Sequence, residues 1–232
     1  MPAKQPKHSE VKLTATERAN EVNVLGELEK IGAVFTDKHF VYTSGKHGSG
    51  YINMDMMFPH TALVAELCKE LAAPFAGEFD TVVAPATGGI VLAVLTARET
   101  GTKGVWADKG GESGFIFERA GFVQQIAGKR VLVVEDLLTT GGSVEKVCRE
   151  VEKVGGIVVG ASVVCNRGGV SAEGLKVPRL EALASVSFAA FDPSECESCK
   201  AAVPIVEDMG HGDDYKKEHP DYAGGYVKLQ EA

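Results

Sequence analysis

The sequence predicts an α/β fold: a central, mostly parallel sheet flanked by helices. Three observations predict it. Short apolar runs alternate along the chain with segments of helical period. The apolar runs lack polar alternation, as strands buried on both faces do. Their carboxyl ends carry Gly, Thr and acidic residues, where open parallel sheets bind ligands.

The elements follow in order. Residues 1–13 are a polar arm. Thr14 to Ile31 reads as a helix, with Thr14 and Glu17 spaced as a capping box. Ala33–Thr43 and Gly50–Asp55 read as extended segments of a hairpin, joined by a loop of small and basic residues, Ser44 to Ser49. The segment 14–60 thus combines a helix with a hairpin. Thr61 to Ala76 is apolar at 63, 64, 67, 68, 71 and 72, which is helical spacing. Strands are then expected at Thr81–Ala84, Gly104–Ala107, Val131–Glu135, Ile157–Cys165 and Leu180–Phe188, with helices at Gly89–Glu99 and Ser143–Val154. Asp108 to Arg130 is long for a connection and opens with Asp-Lys-Gly-Gly-Glu-Ser-Gly. It predicts a mobile loop feeding an antiparallel ribbon of Phe115–Glu118 and Phe122–Ile126. Residues 61–191 form the core domain, and 192–232 read as a polar, irregular extension.

Composition narrows the function. The chain has 232 residues, 44% hydrophobic and 24% charged, which is ordinary for a globular domain with extensions. A net charge of −8 argues against nucleic-acid binding. It also means that any polyphosphate must be met by cations gathered locally or by Mg2+. No membrane partner is expected. The first twenty residues hold no apolar stretch of the signal-peptide kind. The uncharged run Val82–Ala97 contains Pro85, Gly88 and Gly89, and is shorter than the roughly 20 residues of a membrane span. Five cysteines is an odd number, and Cys68, Cys148 and Cys165 sit in apolar-periodic segments, so reduced thiols and a cytoplasmic location are expected.

The most informative stretch is Val131-Leu-Val-Val-Glu-Asp-Leu-Leu-Thr-Thr-Gly-Gly-Ser143. Four apolar residues form a strand, and Glu135 and Asp136 stand at its carboxyl end. Thr139, Thr140, Gly141, Gly142 and Ser143 then open a helix. Acids at that point can grip sugar hydroxyls, and bare amides can hold a phosphate. A plain strand-to-helix turn capped by Ser143 does not account for the two carboxylates. The chain has no G-x-x-x-x-G-K-[ST] and no G-x-G-x-x-G after a strand, so the other common phosphate-binding motifs are absent.

This stretch resembles the phosphoribosyl-pyrophosphate (PRPP) signature of type I phosphoribosyltransferases. The resemblance runs from about Phe35 to about Gly169 and is nearest to the orotate-specific branch. It implies the type I phosphoribosyltransferase fold with a small hood and a flexible flap. It implies Mg2+-dependent transfer of 5-phosphoribosyl from PRPP to orotate, giving orotidine 5′-monophosphate and pyrophosphate, in pyrimidine biosynthesis. Glu135 and Asp136 would hold the ribose hydroxyls and Mg2+-bound water, and Thr139–Ser143 the 5′-phosphate. Pro85-Ala-Thr-Gly-Gly89 is similar to the family's pyrophosphate loop, which implies binding by Ala86, Thr87, Gly88 and Gly89 and a cis peptide at Ala86–Thr87. The bland alternative is a simple Gly turn. Ser44-Gly-Lys-His-Gly-Ser-Gly-Tyr-Ile-Asn53 resembles the hood segment, with Lys46, His47 and Tyr51 toward phosphate or base. The alternative is a solvated hairpin with a core Tyr. Cys165-Asn-Arg-Gly-Gly169 is similar to the segment whose Arg meets the orotate carboxylate, a role Arg167 would take unless it is merely exposed in a turn. The loop from Asp108 to Arg119 would be the flap, with Lys109 and Arg119 as catalytic cations for the leaving pyrophosphate, and its reach into a neighbouring subunit implies a homodimer.

The chain departs from the better-known orotate enzymes at Glu112, Gly114 and Gly88, where those carry further Lys and His residues, and at His47, where they have Lys. Three other readings stay open: another acceptor base, either a purine or another carboxylated pyrimidine; a PRPP-sensing regulator without catalysis; and a retained fold with only a structural or partner-binding use. Cys196-Glu-Ser-Cys199 is a lone C-x-x-C. His211 and His219 follow at a spacing that fits no common zinc finger, so a zinc site and unligated thiols both stand. His8, His39 and His60 fall in no motif.

Overall fold

The computed structural model describes residues 12–14 and 22–229. Among them, contacts divide the chain into two compact units. Of the described residues, the larger takes in 13–14, 22–31 and 54–186, and the smaller brings together 12, 32–53 and 187–229, so the hairpin segment and the carboxyl-terminal extension belong to one unit.

The larger unit is built on a seven-stranded sheet. Its strands are β1 (Lys12–Thr14), β2 (Thr81–Pro85), β3 (Lys103–Lys109), β4 (Phe115–Ile116), β5 (Arg130–Leu138), β6 (Ile157–Asn166) and β7 (Leu180–Ser187), in the order β1-β7-β6-β5-β2-β3-β4. The pairs β2–β3, β2–β5, β5–β6 and β6–β7 are parallel. β4 runs antiparallel to β3. Helices α1 (Val24–Lys30), α2 (Thr61–Ala72), α3 (Gly89–Thr100), α4 (Phe122–Ile126) and α5 (Gly142–Lys153) surround it. Every residue of β2 is buried, as are the first five after Arg130 in β5, which explains the apolar runs Val82–Pro85 and Val131–Val134. Val131 and Val133 face a core shared with Val144, Val147 and Val151 of α5. No helix among the described residues is long and apolar enough to cross a membrane.

Several expected elements shift. Thr14 ends a strand rather than capping a helix, Glu17 lies outside the described residues, and α1 starts after Asn23, whose side-chain oxygen accepts from the Gly26 amide at 3.0 Å. The helix from Thr61 gives way to a 3-10 turn at Ala73–Phe75, where Pro74 has no amide hydrogen to continue the α pattern. Phe122–Ile126 is a helix, not a ribbon strand. Its apolar residues at 122, 123 and 126 have helical rather than alternating spacing, and Gly121 in the left-handed region (φ 86°) turns the chain into it. The extension is not irregular. It forms helices at Glu197–Lys200 and Gly212–Glu218 and a parallel pair, Ile205–Val206 with Tyr226–Val227.

In the smaller unit, Val34–Phe35 pairs with Tyr51–Ile52 and, inside it, Phe40–Val41 with His47–Gly48. Phe40, Tyr42, Val206 and Met209 are its buried cluster, with Phe35, Tyr51, Phe188 and Leu229 packed around them.

Leu132 is fully buried on the β5 face opposite Val131 and Val133. Leu132→Ala is expected to lower unfolding free energy by about 3 kcal/mol in a denaturant titration.

Candidate active site

The strand order reverses between β2 and β5. From β2 the chain steps outward to β3; β5 lies on the other side of β2, and β6 and β7 continue away. At such a reversal the loops leaving the two strands diverge and open a crevice. The loops here are residues 86–88, which enter α3, and 139–141, which enter α5.

The first loop contains a cis peptide at Ala86–Thr87, the position anticipated from the sequence. The Ala86 amide donates to the Ala107 carbonyl of β3 at 2.8 Å. Gly88 lies directly against the end of β5: a Cβ there would come 2.7 Å from Asp136 Oδ2. Gly89 likewise leaves room for Ala84, whose Cβ would stand 2.7 Å from an added one. The absence of side chains at 88 and 89 therefore brings bare backbone up to the acid pair.

Glu135 is buried and Asp136 partly buried at the end of β5. Glu135 Oε1 accepts from the Asp136 amide at 3.1 Å, and Asp136 Oδ1 from the Leu137 amide at 2.6 Å. Burial, then repulsion from Asp136, holds the Glu135 carboxyl well above the usual range. Burial also raises Asp136, with Asp55 adding repulsion. The pair is primed to accept hydroxyl donors or a cation, either of which relieves the uncompensated charge.

The second loop exposes Thr139 and Thr140. Gly141 takes a left-handed φ of 82° at the N-terminus of α5, where no side chain caps the helix. Ser143 lies inside the first turn and is not the cap. The first-turn amides and the positive end of the 12-residue helix are thus left for an anion.

A third loop follows β6 and packs on the second. The amides of Arg167 and Gly168 donate to the Leu138 carbonyl at 2.8 and 3.1 Å. Gly168 lies so close to Thr139 that an added Cβ would stand 1.5 Å from its carbonyl oxygen. Asn166 braces the turn, donating to Val170 O at 2.8 Å and accepting from Val170 N at 3.1 Å. Arg167 is partly buried.

Between β3 and β4 the expected mobile loop is a tight turn over residues 110–114. Ser113 Oγ lies 3.0 Å from Glu150 Oε2 on α5. Gly114 faces Lys146, with an added Cβ 3.6 Å from its Nζ. This exposed lysine near the turn belongs to no motif, because only the fold brings α5 there. Lys109 is exposed at the end of β3. Arg119 is engaged: Nε and Nη2 donate to Asp108 at 2.9 and 3.1 Å, and its guanidinium lies 4.9 Å from the Trp106 ring centre.

Lys46, His47 and Tyr51 belong to the smaller unit. Lys46 Nζ is 3.8 Å from Asp192. Tyr51 stacks on Phe40 at 5.3 Å. The expectation that His47 faces phosphate or base is corrected by its burial. It is 0% exposed, with Nδ1 2.9 Å from His39 Nε2 and 3.2 Å from Cys199 Sγ.

Comparison with known proteins adds to this geometry. The family described as phosphoribosyl transferase domain matches residues 56–177. Orotate phosphoribosyltransferase of Pelotomaculum thermopropionicum is 40% identical over 185 residues, covering 79% of this chain and 94% of that protein. The same-named protein of Desulforamulus reducens is 38% identical over 189 residues, covering 81% and 96%. Among solved structures, the orotate phosphoribosyltransferase of Aeropyrum pernix superposes with a TM-score of 0.55 at 27% identity, covering 70% of this chain and 93% of that one.

Two outcomes are expected. A raised Glu135 pKa means the folded state holds a proton that the unfolded chain releases, so stability falls as pH rises above the usual carboxylate value of 4.5. Glu135→Gln should therefore melt higher than the parent at pH 7 in Mg2+-free buffer, with the gain shrinking as pH falls toward 4.5. Gly168→Ala, forced against the Thr139 carbonyl, should cost about 2 kcal/mol of stability in a denaturant titration.

Proposed function

Because this chain belongs to the phosphoribosyl transferase family, we propose that it transfers 5-phosphoribosyl from PRPP to orotate, releasing pyrophosphate and forming orotidine 5′-monophosphate, a step of pyrimidine biosynthesis. The observation that carries the reading is the acid pair at the strand-order reversal, with bare backbone of Gly88 on one side and an uncapped helix on the other. The orotate relatives, identical at up to 40% of aligned positions, support the choice of base.

In this reading the amides and hydroxyls of Thr139, Thr140, Gly141, Gly142 and Ser143 hold the 5′-phosphate. Glu135 and Asp136 accept hydrogen bonds from the ribose 2′ and 3′ hydroxyls. The amides around Ala86, Thr87, Gly88 and Gly89 receive the pyrophosphate. The C1–oxygen bond to pyrophosphate breaks early and its electron pair leaves with that group. The base nitrogen then forms the new bond to C1 with its own electron pair, and the proton it carried is lost to water or to the departing pyrophosphate. The oxocarbenium character that develops on the ribose is offset by the nearby carboxylates, so catalysis rests on positioning and electrostatics, without a covalent nucleophile. Lys109 and Arg119 meet the leaving group's charge. Arg119 must exchange Asp108 for pyrophosphate to do so, which costs little at an exposed pair. Arg167 supplies a planar, bidentate partner for the orotate carboxylate.

Two buried oxygen-donor carboxylates with raised pKa values fit Mg2+ held through water. When bound, Mg2+ supplies charge neutralisation for the pyrophosphate. All five cysteines are unpaired, which supports a cytoplasmic location. A homodimer completes the reading, as the flap resemblance implies.

The purified chain, mixed with PRPP, orotate and Mg2+, is expected to consume orotate, followed by its absorbance. Replacing both Glu135 and Asp136 by Ala should cut turnover by at least about 100-fold with the fold retained. Turnover with another base and none with orotate would overturn the choice of acceptor, and a double variant near full activity would overturn the role of the acids.

A further inference from the structure

Four side chains of the smaller unit, unused by the transfer reaction, meet at one point. They are His39, His47, Cys196 and Cys199, and their ligand-type atoms all lie within 4.8 Å of one another. His39 Nε2 stands 2.9 Å from His47 Nδ1, 3.6 Å from Cys196 Sγ and 3.6 Å from Cys199 Sγ; His47 Nδ1 is 3.2 Å from Cys199 Sγ. A tetrahedral zinc ion bonded to two imidazoles and two thiolates spaces its ligand atoms by about 3.3 to 3.8 Å. Four of the six separations here, 2.9 to 3.6 Å, lie close to that range, and none exceeds 4.8 Å.

We propose that these four residues bind one structural Zn2+ that fastens the hairpin of residues 40–48 to the carboxyl-terminal extension.

The surroundings favour a closed structural site. His39 and His47 are fully buried, and Cys196 is 3% exposed. His39 Nδ1 lies 2.9 Å from the Val203 carbonyl, which fixes the proton on Nδ1 and turns the Nε2 lone pair toward the sulfurs. The same carbonyl accepts from the Tyr222 hydroxyl at 2.9 Å. Tyr215 meets the His47 ring edge-on at 4.8 Å, and Tyr222 meets His39 at 6.0 Å. Two thiolates balance Zn2+, leaving a neutral centre that is tolerable in a dry interior. Two nitrogens and two sulfurs in one tetrahedral shell select zinc over the oxygen-preferring Mg2+ and Ca2+.

The backbone shows what the ion would fasten. His47 and Phe191 exchange two amide–carbonyl bonds of 2.8 Å, and Val206 donates to the His39 carbonyl at 2.9 Å. Cys196 sits at the start of the short helix Glu197–Lys200, which presents Cys199 one turn on. The buried apolar cluster of this unit is small, and units of this kind commonly need a metal or disulfide to hold them. His211 and His219, whose spacing after the C-x-x-C fits no common zinc finger, lie outside the cluster. All four ligands lie outside residues 56–177, the stretch matched by the family.

The test needs no substrate, so its outcome is independent of the transfer reaction. The full chain, expressed with zinc and purified without chelator under reducing conditions, should carry about one zinc per chain by elemental analysis. Cobalt titrated into chelator-stripped protein should give the intense visible bands of a tetrahedral thiolate site. Chelator should lower the melting temperature of the parent, while Cys199→Ser should melt low with or without it. His39→Ala and Cys196→Ser should each lose the metal. If either variant does not fold, the cobalt spectrum of the unaltered chain still decides. Zinc below about 0.1 per chain together with no cobalt bands would overturn the proposal. So would zinc retained by folded Cys196→Ser and His39→Ala.

Discussion

Two carboxylates kept beside a glycine backbone, at the point where the sheet reverses its strand order, are the constraint on which the rest of the larger unit depends. Burying Glu135 and Asp136 together is unfavourable, and each carboxyl is shifted upward by burial and a neighbouring acid. The fold offsets this with a strand buried on both sides, whose apolar residues lock β5 between β2 and β6. It then leaves Gly88, Gly141 and Gly168 without side chains where loops press together. Strain of this kind is characteristic of a surface shaped for a ligand that brings its own hydroxyls and charge.

The three loops at this end are coupled physically, not merely adjacent. The Leu138 carbonyl accepts from the third loop, Gly88 touches the Asp136 carboxylate, and Ser113 ties the β3–β4 turn to Glu150 of α5. The acidic chain gathers its cations locally here, with Lys109, Arg119 and Lys146 around the turn.

Much of this was legible in the chain because it is local. Val131 to Ser143 carries strand, acids, turn and helix start in one run, and Pro85–Gly89 does the same for the opposite wall. The less legible parts are those where sequence neighbours are not spatial neighbours. Lys146 reaches the Gly114 turn only through α5, and His39 meets Cys196 across 157 positions. Phe122–Ile126 misled because its helical spacing at 122, 123 and 126 covers little more than one turn and reads as part of a ribbon, whereas the left-handed Gly121 starts a helix. The extension read as irregular because its apolar residues are sparse; its order comes from pairing with the hairpin rather than from its own pattern.

The most direct test of the account is a crystal structure of the chain with PRPP and Mg2+. The account predicts the 5′-phosphate on the amides of residues 139–143, the ribose hydroxyls on Glu135 and Asp136, and the pyrophosphate against residues 86–89. A PRPP molecule bound elsewhere, or bound here with its ribose turned away from both carboxylates, would contradict it.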